Sequence, residues 1–213
     1  MKSKQYIFSI LLASGLGMAR LSALDLTPSY GFRELEGAKI PVVFFKDDAR
    51  TVQWQPPAEW KITGDEASLA LLPAGKSNAR MELRIVSRKA AEAPDGKADP
   101  QAAADWVQPL LPVTAEKASF VREIPSPFLL GGLSSREITF SYNYLARQFN
   151  VSVALVNLDL EHSLAVIIYA PSQEFTIIHE EGTKSMFRWI WLDLSAYRIR
   201  ADTRASRNSA LEK

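Results

Sequence analysis

Phosphate binding is the chemistry that comes closest to a spelled motif in this chain. Ala70-Leu71-Leu72-Pro73-Ala74-Gly75-Lys76-Ser77 matches a phosphate loop with Ala in place of its first Gly. Such a loop needs a helix opening at Lys76-Ser77, so that its N-terminal amides cradle the phosphate. Here Asn78 to Val86 alternates as a strand does, and Pro73 sits inside the loop, so the stretch reads as a hairpin turn. Metal or acid–base chemistry would fall to two histidines: His162 beside Glu161, and His179 followed by Glu180 and Glu181. Zinc wants three or four converging ligands, and adjacent helical positions point about 100° apart. A surface polar cluster accounts for these residues better. No Gly-x-Ser-x-Gly elbow accompanies the histidines, so a serine hydrolase would lack its nucleophile turn. Asp159 and Glu161 would share one side of an extended turn, but a solvated hairpin tip does not desolvate a carboxyl as general acid–base work requires.

The five tryptophans offer a binding surface instead of a reaction. Trp54 and Trp60 flank a Pro56-Pro57 turn and are the candidate ligand-binding residues, a pair able to stack on a small ligand or glycan. Trp106, Trp189 and Trp191 fall on expected helix faces, where core packing is the ordinary use of an indole. Asn150-Val151-Ser152 spells a glycosylation acceptor, a spelling common by chance. No catalytic residue, metal site or cofactor is expected.

The elements that would position these residues follow from periodicity. Residues 24–38 mix Pro, Ser, Gly and charge and read as a lead-in segment. Ile40 to Phe45 is a short apolar run, Asp47-Asp48 signals a turn, and Thr51 to Trp54 reads as a strand ended by Gln55-Pro56-Pro57. Ser68 to Leu72 and the alternating stretch Arg80 to Val86 read as further short antiparallel strands. Residues 87–98 look like an exposed loop turning at Pro94-Asp95-Gly96. Asp99 as N-cap and Pro100 at the first helical position start a helix that Pro109 and Pro112 end.

From Ile138 to Ala170 three apolar-alternating runs, separated by turns near Leu145-Ala146-Arg147 and Asp159-Leu160-Glu161, predict an antiparallel meander. Its last two strands are apolar on both faces, which asks for helices to cover them. A terminal helix is predicted from N-cap Ser172 to about Trp191, with Phe175, Ile178, Gly182, Met186, Trp189 and Ile190 along one side.

The N-terminus has the three parts of a cleavable export signal: basic Lys2 and Lys4, an apolar run from Tyr6 to Ala19, and a small-residue exit at Leu21-Ser22-Ala23. That run falls short of the roughly 20 residues of a membrane-spanning helix. Cleavage after Ala23 is expected, with no stable membrane insertion afterwards. The chain has no Cys, so disulfides, thiolate metal sites and a lipid-modified N-terminus are excluded. Losing Lys2, Lys4 and Arg20 leaves 22 basic against 24 acidic residues, a balance that argues against a nucleic-acid partner. The domain is expected over 39–192, followed by a polar tail, 193–213, read as disordered.

The turn Trp54-Gln55-Pro56-Pro57-Ala58-Glu59-Trp60, the meander, the closing phrase Tyr169-Ala170-Pro171-Ser172-x-x-Phe175 and Met186-Phe187-Arg188-Trp189 near the end of the last helix resemble the PsbP, Mog and DcrB group. The resemblance spans about residues 39–192. It implies an α+β fold, an α/β/α sandwich in which helices cover a single antiparallel sheet with a long C-terminal meander. Known members are mostly non-catalytic, and the group shares no active site that could be carried over. The expectation is therefore an exported, periplasmic or extracellular, non-catalytic module that binds a protein partner through a sheet edge or loop set. The alternatives are a small-ligand or glycan binder using Trp54 and Trp60, and an unrecognised hydrolase built on a buried His162 or His179.

Overall fold

The computed structural model describes residues 24–46, 50–87, 105, 107–115, 117–125, 135–158 and 161–193. The alternation between Ile138 and Ala170 folds as its period dictates. β8 (Ser135–Tyr144), β9 (Arg147–Asn157) and β10 (His162–Pro171) form an antiparallel meander. Its register sets Phe140 against Val151 and Val153 against Ile167, so one face of every strand carries the branched and aromatic side chains. β10 also pairs with β6 (Arg80–Ser87), Ile168 facing Met81. β5 (Ser68–Leu72), β4 (Lys61–Gly64) and β7 (Ser119–Pro125) complete a seven-stranded sheet in the order β4-β5-β6-β10-β9-β8-β7.

A second sheet lies outside the single-sheet expectation. β1 (Asp25–Leu35), β2 (Ala38–Lys46), β3 (Arg50–Trp54) and β11 (Trp189–Asp193) form four antiparallel strands in the order β1-β2-β3-β11. The protein is thus mostly β, two antiparallel sheets and among the described residues one α-helix, and the fold of one sheet covered by helices is corrected. The reason is physical: an apolar sheet face needs covering, and a second sheet covers it as well as helices do. Residues 25–35, read as part of a lead-in, are strand β1. The expected terminal helix stops at Met186, and its last turn reverses the chain so that Trp189 to Asp193 pairs with β3. The expected helix start at Asp99-Pro100, Trp106, and the segments 1–23, 88–104 and 194–213 lie outside the described residues.

α1 (Ser172–Met186) packs on β10 and β9 through Phe175, Ile178, Gly182 and Met186. Gly182 is needed there for close approach: a Cβ at this position would stand 2.8 Å from Ile168 Cδ1 and 3.2 Å from Met81 Sδ. The core between the sheets joins Val43, Phe45, Val52 and Trp54 of the small sheet to Leu69, Met81, Val156, Leu164 and Ile168 of the large one. Phe45, Trp54 and Trp189 pack at ring separations of 5.4 to 6.0 Å. Each such ring contributes roughly 1.5–3 kcal/mol by leaving water. A second core, on the opposite face of the large sheet, gathers Ile138, Phe140, Val151, Val153 and Ile167 under Val107, Leu111 and Ala115.

Candidate functional site

Both tryptophans singled out by the sequence sit in the core between the sheets. Trp54 is 0% exposed, and its indole N–H donates to the Ser185 carbonyl at 3.0 Å. Trp60 is 8% exposed and donates to Glu181 Oε2 at 3.3 Å, tying the Pro56-Pro57 turn to α1. Neither ring keeps an open face on which a sugar could stack. The Pro-Pro turn suggested a surface because prolines punctuate exposed loops; here it only redirects the chain from one sheet to the other.

The structure brings together a pair that sequence spacing did not suggest. Glu137, on the core-side face of β8, is 1% exposed, and its Oε1 lies 2.7 Å from Nε2 of His179 on α1. The Phe175 ring packs 5.3 Å from the imidazole. A hydrolase would require a buried histidine beside a carboxylate, and here a half-buried histidine meets a buried carboxylate. Among the described residues, however, no hydroxyl joins the imidazole as a nucleophile would. Thr139 Oγ1 and Thr183 Oγ1 are buried without a partner among the described residues, the first on β8, the second on α1. His162 begins β10, away from α1 in sequence and element. Among the described residues no group of three His, Asp or Glu could hold a metal ion.

At one end of the large sheet three connections enclose a groove of about 560 Å³. The β5–β6 loop contributes Lys76 and Asn78, the β8–β9 hairpin contributes Arg147, and the β10–α1 junction contributes Gln173 and Glu174. This is where the phosphate-loop spelling lies. As the sequence implied, a strand and not a helix follows it, with Gly75 at φ +70° in the turn. Ser172, expected as N-cap, is the first helical residue; Pro171 stands before it, still paired in β10, and no side chain caps the helix. Lys76 Nζ pairs with Glu174 Oε2 at 3.1 Å, whereas Arg147 has no side-chain partner among the described residues.

On the face of the large sheet that carries the second core, Glu82 is buried between Arg80 and Arg84, each an alternate residue of β6. Burial pushes the neighbouring Tyr169 phenol above its ordinary pKa, and the Glu82 charge adds to the shift. Two guanidiniums on one carboxylate make a closed ion cluster rather than a reactive centre.

The β1–β2 hairpin carries the remaining surface of note. Its two-residue turn has positive φ at Glu36 (50°) and Gly37 (83°), the geometry that suits a tight hairpin. β2 pairs with β3 only from Val43 onward, so the ribbon from Gly31 to Val42 extends beyond the four-stranded part of the sheet, with Tyr30 at its base. Tyr30 is 67% and Phe32 68% exposed, on one face of this ribbon. Leu35 and Ala38 close the turn as a bonded pair, so ladder alternation directs the N–H and C=O groups of Tyr30, Phe32 and Glu34 to the outer edge. β1 is an edge strand of its sheet. No alternating pattern marks β1 in the sequence, because Pro28, Gly31 and the charged Arg33-Glu34 interrupt it.

No family model matches the chain, and no curated protein matches it. Among solved structures it is similar to LpqN of Mycobacterium tuberculosis, described as involved in cell envelope biogenesis. That likeness has a TM-score of 0.43 and 11% identity, and covers 77% of this chain and 90% of that one. It is also similar to a protein of Bacteroides thetaiotaomicron VPI-5482, with a TM-score of 0.37 and 11% identity over 63% of this chain; it spans 43% of the length of that protein. Both are remote structural neighbours. Among the described residues no helix is long and apolar enough to cross a membrane.

Proposed function

We propose that this is an exported, non-catalytic module that binds a protein partner, and that the docking element is the β1–β2 ribbon. The observation that carries the reading is the outer edge of β1, where two aromatic side chains about two-thirds exposed stand on a stretch, Tyr30 to Glu34, whose outer edge pairs with no strand among the described residues. Proteins ordinarily blunt such an edge with charge, proline or a cover, because an unpaired edge recruits another strand. Here Pro28, Arg33 and Glu34 interrupt the strand, yet Tyr30, Phe32 and Leu35 still stand exposed on it. An extended partner segment added to β1 would satisfy the outward N–H and C=O groups and bury both rings, the mode in which main-chain bonds supply affinity and side chains specificity. Export is read from the Lys2–Ala23 signal, and the lack of catalysis from the self-contained Glu82 cluster and from the Glu137–His179 pair, which no nucleophile joins among the described residues.

The test is site-specific photocrosslinking in the producing cells. A photoreactive residue at Phe32 is expected to give a discrete higher-mass adduct that the same residue at exposed Lys184, on α1, does not give. Adducts absent at Phe32, or identical at both sites, would overturn the reading.

A further inference from the structure

The outward hydrogen-bonding stretch of β1 is symmetric about Phe32. Its outward groups belong to Tyr30, Phe32 and Glu34, evenly spaced along the strand. Both ends of the stretch are closed. Pro28, two residues before Tyr30, has no N–H to offer, and the N–H of Leu26 beyond it already donates to the Glu66 carbonyl. At the other end the Glu36-Gly37 turn stops the strand. A partner segment that uses this edge fully must therefore be short, antiparallel or parallel to three outward residues, and closed at both ends itself.

We infer that this segment is β1 of a second copy of the chain, paired antiparallel about a two-fold axis at Phe32; the inference rests on the ribbon being the docking element and names its occupant. In that register Phe32 faces Phe32 of the second copy and Tyr30 faces its Glu34, and each opposed pair exchanges two backbone bonds. Every outward N–H and C=O of the stretch is then used. Moving the axis to Gly31 would set Glu34 against Pro28 and leave a carbonyl unmet, and moving it to Arg33 would oppose two guanidiniums. With the axis at Phe32 no like charges directly face one another. On the other face of the ribbon Arg33 of each copy stands across from Gly31 of the other, beside the Phe44 ring: a Cβ at Gly31 would stand 2.8 Å from Phe44 Cε2. The guanidinium thus meets an aromatic ring at a position where no side chain intervenes. Tyr30 and Phe32, exposed in the single chain, join their counterparts in a row of four rings. Two short edges make an interface at the small end of the specific range, so the expected association is weak, with a Kd on the order of 10 μM.

The experiment is sedimentation equilibrium of the protein recovered from the exported fraction, where the mass should rise with concentration toward that of two chains. Phe32→Glu opposes two carboxylates on the axis and removes the central ring pair. It should weaken association about tenfold with the Tm unchanged, because the side chain is exposed. The chain has no Cys of its own, so introduced thiols read the register under mild oxidation. Phe32→Cys should link two copies, Tyr30→Cys alone should not, and the double variant Tyr30→Cys, Glu34→Cys should. A chain that stays monomeric well above the expected Kd, or Tyr30→Cys linking as readily as Phe32→Cys, would overturn the inference. The photocrosslink at Phe32 separates it from the reading it rests on. An adduct of twice the chain mass supports both, an adduct with a different protein keeps the ribbon as docking element and overturns the second copy, and no adduct overturns both.

Discussion

Removing the imidazole of His179 would leave the Glu137 carboxylate inside the protein without its 2.7 Å partner, and that defines the residue scale of this molecule. A buried pair costs desolvation to form, but a buried charge stripped of its partner costs more. We therefore expect His179→Ala to lower stability by about 3 kcal/mol in urea titration. Replacing both residues, Glu137→Leu with His179→Leu, should return stability to within about 1 kcal/mol of the wild type, since well-packed apolar groups replace buried ion pairs at little cost. A double variant as unstable as the single one would show that the pair positions α1 beyond its mutual attraction. None of this was legible in the sequence, where His179 reads as part of a polar run with Glu180 and Glu181 and Glu137 as a charged start to a strand. Adjacent residues of a helix point in different directions, so one of three neighbouring polar residues can turn inward while the others stay wet. Trp54 and Trp60 misled in the opposite sense: two aromatics beside Pro-Pro suggest a surface cleft, yet each buried indole found an acceptor in or on α1.

Elements were legible where their period was clean and illegible where a short apolar run had two readings. The meander announces itself because Ile138, Phe140 and Tyr142, then Phe149, Val151 and Val153, alternate without interruption and end up in one core. Trp189-Ile190-Trp191-Leu192 is apolar on every side, so four residues can close a helix or open a strand, and pairing with β3 decided it. The β4–β5 turn offers a prediction at this scale. Asp65 Oδ1 accepts bonds from the backbone N–H groups of Ala67 and Ser68, at 3.0 and 2.9 Å, and these hold its carboxyl below the ordinary pKa. A folded-state pKa below the unfolded one means that the turn adds stability above the unfolded value and loses it as pH falls through the folded one. Asp65→Ala should accordingly lower the Tm at neutral pH, and the two Tm curves should converge in strong acid. Curves that stay parallel down to low pH would show that the carboxylate charge contributes nothing.

At the scale of the whole molecule, the question the sequence left open was what covers the meander. Val156, Leu164, Val166 and Ile168 demand an apolar layer above them, but an apolar demand does not specify whether helix or sheet meets it. The answer lies in long-range pairing: β11, next after α1, pairs with β3 near the start of the chain, and Trp189 faces Trp54 across that pairing. The small sheet is thereby held from both directions, through β1, whose Leu26 N–H donates to the Glu66 carbonyl, and through Trp54, which donates to α1. One core cluster includes side chains from both sheets and α1, so the layers have no independent way to melt. Unfolding in urea should then be a single transition, with tryptophan fluorescence, which reports Trp54, Trp60 and Trp189 in that shared core, tracking far-UV circular dichroism, which reports both sheets. Trp189→Ala should lower stability by about 3–5 kcal/mol and move both midpoints to lower urea together, because the cavity opens at the seam where Phe45, Trp54 and Trp189 meet. If fluorescence moved to lower urea while dichroism held, the small sheet would be a separately melting layer, and its β1–β2 ribbon a docking arm carried on a softer support than the core suggests.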